Sequence, residues 1–410
     1  MTKSKSFKRR QFLQLSSTAV LAGLSGKITG NQLSPGNVSL IEAATSRVGV
    51  LPRRKLGYSG REVSIIIGAG DMSPAVTEAA VKCGINYWHK ANRWMREGVP
   101  DIIMKNREEH YCQVTVDRVD GNHYEGRLDE DQHYNYVKTA VKETGLGYFD
   151  DMQLHYGYHN VEELKNDRSF IRAFERLKKE GLVKHLCLSQ HSYAGSPRVE
   201  NGESAAKILT EIIKDGHYEH AQFMYSYDDD PEMDEFIKYA SENNFGTTAM
   251  KTARGLGRMK QDSAFMSRLP DNISPHNALV RWLTTETPLD NIVLRVRNMS
   301  EFEDSYSGAG KKPGQEDMQA LNLVKAEANK NACRLCGKCQ SACPQHIPIT
   351  DIFRFERYAM DDHDWEKAAA LYDGLPVKGN ICTSCNTCTE SCPLNLDIPV
   401  KLEKIHTYMS

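Results

Sequence analysis

The sequence predicts an α/β protein: a (β/α)8 barrel followed by a small, mainly helical module. Three observations carry this reading. Between residues 53 and 306, eight short apolar runs alternate with stretches of helical periodicity. After residue 330, most of the 11 cysteines crowd into two matched sets. Between these regions, "SGAGKKPGQED" is rich in Gly, Lys and Pro and lacks the full phosphate-loop pattern, which marks 307–324 as a linker. A chain of 410 residues, 40% hydrophobic and 26% charged, is long enough for more than one core. Its formal net charge of -2 supplies no basic field for gripping phosphates, so nucleic acid is not an expected partner.

Taken in order, the N-terminus "SFKRRQFLQLSSTAVLAGLSG" joins the pair Arg9-Arg10, then Phe12 and Leu13, to a moderately apolar stretch. That stretch is too short and too polar for a bilayer anchor, which needs about 20 apolar residues. It reads as a twin-arginine export signal over 1–44, removed near Ala43 or Ala44. No later segment is long and apolar enough to span a membrane, so the mature protein is expected in the periplasm or otherwise exported, without a membrane span. Replacing Arg9 and Arg10 by lysines should strand the precursor in the cytoplasm, because recognition depends on the pair and not on charge alone. Fractionation showing unchanged export would remove this reading.

The eight expected strands begin with "VSIIIG" at 63, "INYW" at 85, "YCQVTV" at 111 and "DDMQLH" at 150. They continue with "VKHLCLS" at 183, "HAQFMY" at 220, "GTTAM" at 246 and "NIVLRV" at 291. Amphipathic stretches such as "HYNYVKTAVKETG", "FIRAFERLKKEG" and "SAAKILTEIIKDG" separate them. An active site is then expected at the C-terminal ends of the strands. The acidic run "DDDPEMDE" reads as a solvated helix N-terminus, favourable with the helix dipole, rather than a calcium site.

Cys83, Cys112 and Cys187 lie singly in apolar surroundings and read as small buried hydrophobes. The others repeat one spacing. Cys333, Cys336, Cys339 and Cys343 precede Pro344, and Cys382, Cys385, Cys388 and Cys392 precede Pro393. Zinc sites usually use two cysteine pairs set well apart, whereas this C-x2-C-x2-C-x3-C-P run matches bacterial two-cluster iron–sulfur proteins. The segment 325–410 resembles the two-[4Fe–4S] ferredoxin domain. The resemblance implies that Cys333, Cys336, Cys339 and Cys392 hold one [4Fe–4S] cluster and Cys382, Cys385, Cys388 and Cys343 the other. Between the motifs, apolar residues from Ile352 through Phe355 and Tyr358, and from Trp365 through Ala369 to Tyr372, repeat at helical intervals. Twin-arginine export moves folded proteins, so clusters built in the reducing cytoplasm could be carried out intact.

The barrel region resembles the aldo-keto reductase family, in its branch with a C-terminal ferredoxin domain. The resemblance rests on "RRKLGYSGREVSIIIGAG", "CGINYW", "GLGYFDDMQLH", "LKKEGLVKHLCLSQHS" and "ALVRWLTTETPLDNIVLRVRN", in that order. Family members use an Asp, a Tyr, a Lys and a His, the Tyr protonating the carbonyl oxygen during hydride transfer. Here "HKA" puts His89 at the Asp position, Trp94 stands where the Tyr belongs, and Asp117 takes the Lys position. Only His155 matches. Trp has a weakly acidic N–H and cannot replace a phenol as proton donor.

Ser189 and Gln222 match positions where the family contacts NADP(H), and Met250 and Lys251 suit the ferredoxin-bearing branch. Gln190 replaces the usual Asn, and Arg295 stands where a glycine would admit the cofactor phosphate. NADPH-driven carbonyl reduction is therefore not expected. Two readings of His89, Asp117 and His155 stay open: a metal or acid/base site, or a lost tetrad refilled with polar groups that bond one another. Lys90, Trp94 and His191 are expected in the same pocket, Trp94 as a wall. Two function classes follow. One is an oxidoreductase acting on a small molecule, with the clusters exchanging electrons with a partner protein or carrier. The other is a non-catalytic electron-transfer or binding protein built on a barrel scaffold.

Overall fold

The computed structural model describes residues 35–410 apart from 70–71, 97, 119–125 and 228–229. The Arg9-Arg10 segment lies outside the described residues. Two short strands, β1 (Arg53–Lys55) and β2 (Glu62–Ser64), form an antiparallel hairpin with Arg54 opposite Val63. The eight barrel strands follow. They are β3 (Ile66–Gly68), β4 (Tyr87–Trp88), β5 (Tyr111–Val116), β6 (Phe149–Leu154), β7 (Val183–Gln190), β8 (His220–Met224), β9 (Gly246–Met250) and β10 (Asn291–Leu294). All pair in parallel in chain order, and β10 closes the ring by pairing Ile292 with Ile66 of β3 and with Ala249 of β9.

Both β6 and β9 are buried at every position, so the polar side chains that β6 carries, Asp150, Asp151 and Gln153, must find partners inside the fold. At the β3–β4 contact, Gly68 pairs with Trp88, and a Cβ at Gly68 would stand 2.4 Å from the indole ring. Only glycine lets these strands meet. The outer helices carry their own stop and start signals. The helix Glu130–Thr144 opens with a reciprocal cap, in which Asp129 accepts from the Gln132 amide at 2.8 Å and Gln132 accepts from the Asp129 amide at 2.8 Å. It ends on left-handed Gly145. The helix Ser169–Lys179 buries Phe170, Ala173, Phe174 and Leu177 toward the barrel.

The floor of the barrel holds a buried ion pair. Arg61, from the hairpin, grips Asp151 of β6 with two hydrogen bonds of 2.8 Å, and Tyr87 meets His220 Nε2 at 3.0 Å beside them. Leu56, Val63, Ile67 and Tyr87 close a small apolar layer around this group.

Two segments differ from the sequence-based expectation. A helix over Pro35–Val48 runs through the expected removal site, with Ile41 and Ala44 fully buried against the barrel core and Arg47 paired to Glu303 at 2.5 Å. The expected linker contains the first turns of a 17-residue helix, Gln315–Asn331, that buries Ala320, Leu321, Val324 and Ala328. The Gly- and Pro-rich composition of 307–314 masked the apolar period that starts just after it.

The module beyond is helical, with Ile349–Met360, Trp365–Asp373 and Ile398–Met409 packed around Ile352, Phe353, Phe355, Tyr372 and Leu402. It docks on the C-terminal face of the barrel. Arg254 donates to Asn329 Oδ1 at 2.6 Å, Arg258 pairs with Asp361 at 2.8 Å, and Arg297 donates to the Asp362 carbonyl at 2.6 Å. A Cβ on Gly257 would lie 2.3 Å from the Asp361 carbonyl oxygen, so the two backbones touch. No helix among the described residues is long and apolar enough to cross a membrane.

Candidate functional site

The two cysteine motifs fold alike. Residues with positive φ recur at matched places: Leu335 and Ser384 (59° and 55°), Gly337 and Asn386 (85° and 64°), His346 and Asn395 (51° and 50°). A left-handed Leu costs about 1–2 kcal/mol, so it persists only where the surroundings demand that shape. Here the shape wraps sulfur atoms. Cys333, Cys336, Cys339 and Cys392 line one cavity, and Cys343, Cys382, Cys385 and Cys388 line another. The Leu335 amide donates to Cys333 Sγ at 3.2 Å.

All eight are free thiols. Burial pushes the Cys333 thiol up to about 12, against the Leu335 amide that favours the thiolate, and the neighbouring Cys336 and Cys392 push it further. Such a nest of thiols can ionise only with a cation among them. A single zinc at about 2.3 Å from each sulfur would bring sulfurs to within about 3.8 Å of one another. Among the described residues, no three of these cysteines have sulfurs within 4.8 Å of one another. The wider spacing fits a multi-iron cluster and not a lone ion.

At the barrel mouth the strand ends bring Asp117 and His155 together with Lys90, expected in this pocket, and with Arg93, which the sequence did not single out. His155 Nδ1 bonds Asp117 Oδ1, whose other oxygen is held by Arg93. On the opposite edge of the ring, Lys90 Nζ lies 3.3 Å from His155 Nε2. This network assigns the tautomer: Nδ1–H donates to Asp117, and Nε2 accepts from Lys90. Burial, and after it the Lys90 and Arg93 charges, hold His155 well below the usual imidazole range. Burial raises the Asp117 carboxyl against the opposing pull of Arg93 and Lys90. His89 points elsewhere, its Nδ1 on Gln113 Oε1 at 2.6 Å, and is likewise held neutral by burial and Lys90.

Among the described residues, the ligand atoms of His89, Asp117 and His155 do not all lie within 4.8 Å of one another. The trio among the described residues whose ligand atoms do converge within 4.8 Å is Asp151, Cys187 and His220, in the floor, where Arg61 already neutralises the carboxylate. At the mouth Lys90 Nζ stands against the outward nitrogen of His155. Trp94 is half-buried, edge-on to Trp88 with centroids 5.8 Å apart, and spends its N–H on the His89 carbonyl at 3.1 Å. It is a wall. Ser189 accepts from the Tyr156 amide at 3.2 Å, and Gln222 accepts from Gln153 at 3.1 Å, so both lie in the barrel's own hydrogen-bond network. Arg295 follows β10 and is exposed.

Four further residues shape the mouth. Tyr156 stacks on His155 with centroids 3.7 Å apart and planes at 20°. Lys251, just past β9, takes a left-handed φ of 55° and accepts from Arg357 Nη2 through its carbonyl at 2.8 Å. Arg357 belongs to the helix between the cysteine motifs, as does Arg354, whose charge acts on both Lys251 and His191. Lys90 and Lys251 share one sequence sign, a position within two residues of the end of a barrel strand. Arg354 and Arg357 show none, because their role depends on docking. Between barrel and module lies a cavity of about 320 Å³, with Gln190, His191 and Met224 on one wall and Leu335, Cys336 and Pro393 on the other.

Residues 330–354 and 380–399 match the family model described as a 4Fe-4S binding domain. Over 81 residues the chain is 33% identical to candidate formate dehydrogenases of Staphylococcus aureus, strains USA300 and N315; the match takes in 20% of this chain and 8% of each relative. The chain thus spans under a tenth of the length of these curated relatives. Among solved structures, an aldo-keto reductase from Bacillus halodurans is 15% identical, matching 67% of this chain and 96% of its own at a TM-score of 0.49. An aldo/keto reductase from Brucella melitensis is 18% identical, over 67% and 100%, at a TM-score of 0.48.

Proposed function

We propose that the protein is an exported iron–sulfur oxidoreductase acting on a small organic molecule at the barrel mouth. In this reading Cys333, Cys336, Cys339 and Cys392 hold one [4Fe–4S] cluster and Cys343, Cys382, Cys385 and Cys388 a second. When bound, such clusters supply or accept single electrons. The observation that carries the reading is the shared cavity, which has the Cys336 loop on one wall and the strand-end residues Gln190 and His191 on the other.

The chain's own residues then manage the proton. Lys90 stands against His155 Nε2 as the donor, and His155 holds it there. Asp117 fixes the His155 tautomer and is itself fixed by Arg93. Tyr156 covers the imidazole face and keeps water off it. NADP(H) has no part in this reading: Ser189 and Gln222 bond within the barrel, and the module meets the loops beyond β7 and β9 at Ser192 and Lys251.

The test is turnover of a panel of small aldehydes, ketones and organic acids with reduced methyl viologen. Lys90→Met and His155→Ala should each lower the rate by about 100-fold or more, the usual scale for lost proton transfer. Iron content should stay unchanged. Undiminished turnover in both variants would move the chemistry elsewhere, and no turnover by the unmodified protein would favour the non-catalytic class.

A further inference from the structure

The two cysteine motifs fold alike and differ in what covers them. At matched places the first carries Leu335, Cys336 and Gly337, and the second Ser384, Cys385 and Asn386. A Cβ on Gly337 would stand 2.2 Å from the Ala194 carbonyl oxygen, because the loop after β7 presses on this motif. Ser192 Oγ in that loop donates to the Cys336 carbonyl at 3.4 Å, and a Cβ on Gly195 would lie 3.0 Å from the Ser341 amide nitrogen. Leu335 and Cys336 are accordingly half-buried. In the second motif every residue from Thr383 to Thr387 is exposed, Cys385 among them. Glycine is needed where the barrel touches the first turn, and asparagine, which tolerates left-handed backbone, suffices where the matching turn faces solvent.

The exposed turn is the lip of the cavity that Cys343, Cys382, Cys385 and Cys388 share. Among the described residues, no charged side chain lines that cavity, whereas Arg334 lines the other. The lip is neutral as well, with Thr383, Ser384, Asn386 and Thr387 around Cys385. Beside it, Ile381 and Val400 are 42% and 41% exposed, each next in the chain to a lining residue, Cys382 and Pro399. An opening onto cluster-binding thiols, ringed by uncharged and aliphatic side chains, suits a contact made by desolvation with little steering by charge. Electron-transfer encounters between proteins are small, under about 1,200 Å² in total, so a patch of this kind is enough.

We propose that Ile381, the turn 383–387 and Val400 form the docking face for a small one-electron carrier protein whose own redox centre is ringed by uncharged side chains. One electron crosses per encounter: the carrier is oxidised as this protein is reduced, or the reverse, and no bond is made or broken. The first motif, pressed against the barrel, then serves the mouth, and the second serves the partner. This division rests on the two-cluster assignment above and not on turnover at the mouth.

The test uses the full-length, cluster-loaded protein under anaerobic conditions with no substrate, so it is separate from the viologen-linked assay. Iron and sulfide assays come first, and absence of both would refute the two-cluster assignment itself. In the dithionite-reduced protein, dysprosium EDTA should broaden the paramagnetic resonance signal that Cys343→Ala removes, and the other signal less. In stopped flow, the blue copper protein azurin, whose copper lies under an apolar face, should oxidise the reduced protein at a rate that changes less than about twofold between about 0.05 and 0.5 M salt. Ile381→Glu and Ser384→Asp each place a charge in the lip and should slow that oxidation about tenfold or more, while oxidation by the small complex ferric EDTA stays within about twofold. Both positions are exposed, and Asp tolerates the left-handed backbone at 384, so the variants should fold. Val50→Glu, at an 83% exposed position before the floor hairpin, should change neither rate. Equal broadening of both signals, no oxidation by azurin, or lip variants no slower than Val50→Glu overturns the proposal.

Discussion

Replacing Cys343 by Ala is expected to remove about half of the iron and acid-labile sulfide, from about eight of each to about four. The half lost should be the one associated with Cys382, Cys385 and Cys388, although Cys343 belongs to the other motif in sequence. The reason is geometric. Cys343 and Cys392 are each the last cysteine of their motif, directly before a proline, and each lines the cavity of the other motif. Electron paramagnetic resonance of the reduced variant, with iron and sulfide assays, checks this. Loss of the signal associated with Cys333, Cys336 and Cys339 alone would mean that each motif holds its own cluster.

A second large effect is expected far from the mouth. Arg61→Met leaves Asp151, fully buried in the floor, without its partner. Breaking a buried pair from one side typically costs about 3–5 kcal/mol. Burial alone would raise the Asp151 carboxyl, but Arg61 and, less, His220 outweigh it and hold the group below the usual carboxylate range. In the unmodified protein this pair therefore stabilises the fold above the unfolded carboxyl value of about 3.9, and the contribution fades as pH falls through the lower folded value. In Arg61→Met the sign reverses: the carboxyl rises above its unfolded value, so the variant should be least impaired in acid and worsen as pH rises. Denaturant melts across pH report this. The double change Arg61→Met with Asp151→Leu should recover most of the loss, and a double variant no better than the single would place the damage in packing instead.

The barrel was readable because each of its strands is a short apolar run bounded by turn residues, and all eight expected runs form strands of the ring. The sequence periodicity was weaker as a guide to what docks on what. The helix Pro35–Val48 buries few side chains, among them Ile41, Ala44 and Val48, too sparse a pattern to stand out beside a signal-like N-terminus. At the mouth, the sequence located His89, Asp117 and His155 at strand ends with Lys90 in the same pocket, but not which of them bond one another. Lys90, after β4, reaches His155, after β6, across the intervening strand β5. Arg357 reaches Lys251 across 106 residues of chain and a domain boundary. Local pattern reports which side of an element is buried, and these contacts are decided one level higher.

The most direct measurement of the central claim, that electrons at this barrel come through iron–sulfur clusters and not from a nicotinamide, is anaerobic visible spectroscopy of the unmodified, cluster-loaded protein. Reduced methyl viologen should bleach the cluster absorption, while NADPH should neither bleach it nor be consumed when simple aldehydes are added. Oxidation of NADPH coupled to aldehyde reduction by the unmodified protein would contradict the account and return the mouth to ordinary hydride chemistry.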